Sequence, residues 1–137
     1  MDFNYFQMRN LNRIKRIINL IKELIYLFPD KSLAEIIYYH IYKNYSADSP
    51  QLVLIEDDVV EEELTNSVKW FNEHGIGNKI SEVRMTDNYK LKFIILEKIE
   101  KYWIKWHDLR FGQMIGAHLL NTYENHLDFR NVKILKT

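Results

Sequence analysis

The chain has 137 residues, 47% of them apolar, with equal numbers of acidic and basic side chains and hence a formal charge of zero. That length suits one domain, or two small units sharing a core, with enough apolar residues for a sizeable interior. Neutrality excludes both the overall positive excess of a dedicated nucleic-acid binder and the imbalance of a disordered chain, and the absence of cysteine excludes disulfides, thiolate zinc sites and a cysteine nucleophile.

The opening stretch, Met1 to Arg9, lacks the basic-then-apolar layout of a signal peptide, and no apolar run approaches the roughly 20 residues of a membrane span. The expectation is a soluble, cytoplasmic protein with no membrane partner. Four glycines and two prolines leave few breaks, so long helices are expected.

From Leu11 to Phe28, apolar residues recur at three- and four-residue steps, which predicts an amphipathic helix ending at Pro29. Asp30 or Ser32 then caps a second helix reaching about Tyr45, and Ser32 and Glu35 have the spacing of a capping box. Leu52 to Ile55 reads as a short strand or extended apolar segment, and the acids from Glu56 onward open a third helix running to about Asn72. The run His74 to Asn78 is the clearest break, and Asn78 to Asp87 reads as loop or short strand. A long helix is predicted from about Asn88 to Trp106, and the apolar run Leu109 to Leu120 continues as helix.

A displacement of 78 residues places Ile17 on Ile95, Ile21 on Ile99, Asp30 on Asp108, Ile37 on Ile115, His40 on His118 and Tyr45 on Tyr123. The expected fold is therefore mainly α: two degenerate αα-hairpin repeats packed in one domain, with a small accessory sheet among Leu52 to Ile55, Ile80 to Met85 and Val132 to Leu135. Unit one covers about residues 9–74, a linker 75–87, and unit two 88–137. In this reading Asp108 caps the helix that follows it, and Gly112 and Gly116, four apart, mark a close approach by another backbone.

The segment Trp103 to Ile115, W-I-K-W-H-D-L-R-F-G-Q-M-I, resembles the W-x-x-x-P-D-L-R-x-G-Q-L-I motif of small, largely uncharacterised bacterial and phage proteins. In that family a helix before the motif leads into a helix after it, and an acidic I-E-D-D segment tends to open a third helix. Here the features are divided. The first copy keeps Pro29 and Asp30 and is followed by Ile55-Glu56-Asp57-Asp58, whereas the second keeps Asp108, Arg110, Gly112 and Gln113 with His107 in place of the proline. The resemblance implies a helical fold and a phage or mobile-element setting, but no chemistry.

Candidate site residues follow from residue type and spacing. Tyr38, Tyr39, Tyr42 and Tyr45 crowd one short helix and cannot all face inward, so a protein partner is expected to cover some of them. The acid run, with Glu56, Asp57, Asp58, Glu61 and Glu62, suits a basic protein surface or a solvated helix start. Arg110 and Gln113 suit a partner carboxylate or phosphate, or a bond to a neighbouring helix end. Arg9, Arg13 and Arg16 form a basic stripe that suits phosphates in a nucleic-acid-binding alternative, or the acid run of another subunit in a homodimer. His40 and His118 match between copies, but no H-x-x-x-H or H-E-x-x-H spacing accompanies them, so neither a metal nor a cofactor is expected. No activatable serine lies near His107 and Asp108, so no catalytic residues are assigned. The function expected is a non-enzymatic protein-binding module acting on a host factor or on itself.

Overall fold

The structure, a computed structural model, describes residues 5–45, Leu52, 54–75 and 81–118. Its described residues form six helices: α1 (Tyr5–Leu27), α2 (Leu33–Ile41), α3 (Asp57–His74), α4 (Ser81–Arg84), α5 (Asp87–Lys105) and α6 (Phe111–His118). Among them no helix is long and apolar enough to cross a membrane.

Periodic burial makes α1. Ile14, Ile17, Ile18, Ile21, Leu24 and Ile25 are all buried, and this tertiary burial overrides the modest helix propensity of isoleucine. The Phe28 amide still donates to the Leu24 carbonyl, at 2.8 Å, but Pro29 has no amide to continue the ladder. The predicted capping box then opens α2. The Glu35 amide donates to Ser32 Oγ and the Ser32 amide to Glu35 Oε1, both at 3.1 Å. Asp57 and Asp58 sit in the first turn of α3, where the helix dipole favours negative charge. Gly75 closes α3 with φ of 62°, a left-handed cap suited to glycine.

The helix α1 is the hub. It packs against α3, α5 and α2, with α2 also on α3 and α6 on α5. Arg13 meets Glu61 and Phe28 meets Phe71, so α1 and α3 run the same way. Against α5 the direction reverses, since Lys15 pairs with Glu100 while Lys92 reaches the Pro29 carbonyl at 2.8 Å. Lys92 is 4% exposed, and burial lowers its pKa against the pull of Asp30 and Glu35.

Several features fall in the 78-residue register. The ends of α1 and α5, Leu27 and Lys105, are 78 apart, as are the starts of α2 and α6, Leu33 and Phe111. The buried residues of α5, Lys92, Ile95, Leu96, Ile99 and Trp103, each lie 78 residues after a buried residue of α1. Likewise Phe111, Met114 and Ile115 fall on Leu33, Ile36 and Ile37, all of them buried.

The accessory sheet is corrected. Among the described residues there is no strand: Leu52 lies in a short 3₁₀ turn, Leu54 in a turn, and Ser81–Arg84 is helical. A lone extended segment gains little without a ladder partner, and Leu52 buries its side chain fully without one. The third expected strand, Val132 to Leu135, lies outside the described residues.

Candidate functional site

The acid run meets the motif of the second half. Arg110, immediately before α6, donates from Nε to Glu56 Oε1 at 3.0 Å, and the amide of Phe111 donates to Asp57 Oδ1 at 2.9 Å. Gln113 Oε1 accepts from the Arg110 amide at 2.9 Å, the bond that Glu35 makes to Ser32 at the corresponding place. Burial raises the pKa of Asp57, opposed by the Phe111 amide. Asp58 accepts from the Val59 amide at 2.9 Å, and Glu62 is exposed.

Two expectations change here. The side chain hydrogen-bonded to the first amide of α6 is Asp57, delivered by α3, and not Asp108, which is exposed in the preceding turn. Arg110, Gln113, Glu56 and Asp57 bond to one another or to nearby backbone, which fits the neighbouring-helix alternative. Glu56, Asp57 and Arg110 border a polar pocket of ≈ 410 Å³, which His107 and Asp108 also line. Gly112 is buried in the first turn of α6, whereas the surroundings of Gly116 lie outside the described side chains.

The arginine stripe is likewise occupied from within the chain. Glu61 accepts from Arg16 Nε at 2.5 Å and from Arg13 Nε at 3.2 Å. The hydrogen bond from Arg16 is the main cause holding the Glu61 carboxyl below its ordinary range. Two guanidiniums on one carboxylate leave little of the free positive stripe that a phosphate backbone would need. The side chains of Arg9 and His118 lie outside the described residues, so neither the head of the stripe nor the histidine pair is placed. Among the described residues no group of three or more His, Cys, Asp or Glu side chains is disposed to hold a metal ion.

The tyrosines separate into inner and outer members. Tyr42 is fully buried, its phenol pKa pushed up by burial, so its place among partner-contacting residues is corrected: the C-cap of α2 turns it into the core. Tyr38 is half-buried and donates its hydroxyl to the Tyr45 carbonyl. Tyr39 is 57% exposed.

Tyr39 stands between two surface pockets. One, of ≈ 420 Å³, is lined by Phe28, Ile36, Tyr38, Tyr39, His40 and Phe71, with Lys31 and Glu35 at its edge. The other, of ≈ 320 Å³, lies between Tyr39 and Trp70 and includes Lys43 and Glu63. Phe71 stands edge-on to Phe28 at 4.8 Å, and Trp70, 47% exposed, stacks on His74 at 3.8 Å. His40 is 3% exposed and packed between the rings of Phe28, Tyr39 and Phe71, and its Nδ1 has no partner among the described residues. Burial, helped by Lys43, lowers its pKa from 6.5 to about 4.

Of the residues that line these two pockets, the sequence reading named Tyr38 and Tyr39 as candidates but not Phe28, Phe71 or Trp70. The signal available was the Trp70-Phe71 pair beside the buried face of α3. Its meaning required knowing that α2 lies alongside. Comparison with known proteins finds no matching family model, curated protein or solved structure.

Two outcomes are expected. Asp57→Ala should cost about 1–2 kcal/mol and speed amide exchange in the first turn of α6, whereas Asp108→Ala should stay within about 0.5 kcal/mol; urea denaturation with hydrogen exchange reads both. His40 binds its proton less readily folded than unfolded, so the stability it contributes is whole above pH 6.5 and falls away as pH drops toward about 4. The loss is on the order of 3 kcal/mol, and His40→Phe should remove that part of the acid sensitivity in urea midpoints measured across the window.

Proposed function

We propose that this chain is a non-enzymatic protein-binding module whose contact surface is the aromatic patch shared by the end of α1, α2 and α3. The observation that carries the reading is the exposed Tyr39 standing between two adjacent pockets, one walled by Phe28, Tyr38, His40 and Phe71 and the other bounded on its far side by the exposed Trp70. Rigid aromatic side chains around a concave apolar pocket bury much area at small entropic cost, which is the composition of interface hot spots. A neutral His40 keeps the floor uncharged, while Lys31, Glu35 and Lys43 supply a polar rim.

The scaffold under the patch is, in the same proposal, a duplicated αα-hairpin. Shared helix limits, shared buried positions and the antiparallel contact of α1 with its counterpart α5 support that reading. The resemblance to bacterial and phage proteins supports a host protein as the target. Nucleic-acid binding is the weaker reading, because Glu61 already pairs with Arg13 and Arg16.

The test is affinity capture from a bacterial lysate with the immobilised chain, read by mass spectrometry. Replacing Tyr39 and Trp70 with alanine should remove a specifically captured protein while leaving circular dichroism and the melting temperature nearly unchanged. Capture that survives both substitutions contradicts the assignment. A gel-shift titration should show no salt-dependent binding to duplex or single strand.

A further inference from the structure

We infer that the exposed flank of α5 formed by Leu91, Ile94, Lys98 and Tyr102 is a second docking surface, and that it takes an acidic amphipathic helix of a partner protein. It is separate from the aromatic patch on α2 and α3 and does not depend on it.

In the 78-residue register this flank corresponds to Arg13, Arg16, Leu20 and Leu24 of α1. That flank of α1 is where α3 sits: Arg13 and Arg16 bind Glu61, Leu24 is fully buried and Leu20 is half-buried. On α5 the corresponding positions are open to solvent, with Leu91 at 40%, Ile94 at 50% and Tyr102 at 43%. The core-facing stripe of α5, by contrast, is as buried as that of α1.

Charge selects the occupant. Lys90, Lys98, Lys101 and Lys105 are exposed on α5 along and beside the apolar residues and outnumber its exposed acids, Asp87 and Glu97; among the described residues none of the four is in an ion pair, and Lys105 lies over the Trp106 ring at 5.6 Å. Leu91 to Ile94 and Lys98 to Tyr102 follow the three- and four-residue steps at which one helix lies along another. The helix that fills the matching flank is itself acidic and amphipathic. α3 buries Val60, Leu64 and Val68 and carries Glu61, Glu62 and Glu63 beside them. A partner helix of that kind would cover the apolar side chains and neutralise the lysines, in the helix-in-groove manner.

The probe is a fluorescently labelled peptide of residues 55–74, the chain's own acidic helix, titrated with the full chain and followed by anisotropy. Saturable binding is expected, weakening as salt is raised to roughly physiological strength. It should weaken by about tenfold or more with Ile94→Glu/Lys98→Glu. The milder Lys98→Glu/Lys101→Glu, confined to exposed lysines, should act in the same direction if the first variant melts early. Tyr39→Ala should leave peptide binding unchanged, which separates this result from the fate of the aromatic patch. The inference is overturned if no binding occurs, or if the α5 substitutions do not alter it. It is also overturned if these residues govern attachment to phosphatidylserine-containing vesicles and not to the peptide, or if sedimentation shows a second copy already seated on the flank, released by Ile94→Glu.

Discussion

Burial of α1 is the constraint from which the rest of the arrangement follows. Its isoleucines present a core stripe too wide for one neighbour, so α5 lies along one part, α3 along a flank and α2 across the end. Each fully buried aliphatic side chain contributes about 1.5–3 kcal/mol. Polar contacts then fix direction and register at the edges of that apolar contact. Glu61 holds α3 beside α1, and Lys92, donating to the Pro29 carbonyl where α1 ends, ties α5 to the turn.

The most conspicuous polar residues thereby acquire an architectural role. Glu56 and Asp57 come from the first half of the chain, Arg110 and Gln113 from the second, and together they satisfy the start of α6. The two helix starts solve one problem differently. At α2 the residue before the helix is Ser32, whose own hydroxyl caps it, whereas at α6 that position is Arg110 and a carboxylate arrives from α3. The difference between the two helix starts is intelligible in these terms: the Arg110 side chain stands where the acids of α3 arrive, while Gln113 makes to the backbone the bond that Glu35 makes at α2.

Much of the helical layout was legible because it rests on local rules. The three- and four-residue spacing of Ile14 to Ile25, the Ser32–Glu35 box and the break at Gly75 each act within a few residues. What escaped was whatever depends on which helix lies opposite. Spacing alone does not say that Tyr42 turns inward while Tyr39, three residues earlier, turns out, because the choice is made by α2 packing on α1 and α3. Asp108 had the right neighbours for a cap, but Asp57, 51 residues earlier in the chain, occupies that role. Leu52 to Ile55 had strand composition without a strand to pair with, and Trp70 gains meaning only once Tyr39 stands across from it.

Residue-resolved hydrogen exchange under native conditions tests the hub directly. If α1 is the element on which the others depend, amides between Ile14 and Ile25 should exchange only through global unfolding, with protection equal to the full stability and the highest in the chain. Exchange of α1 through a lower-energy opening, while α3 and α5 stay protected, would contradict the account.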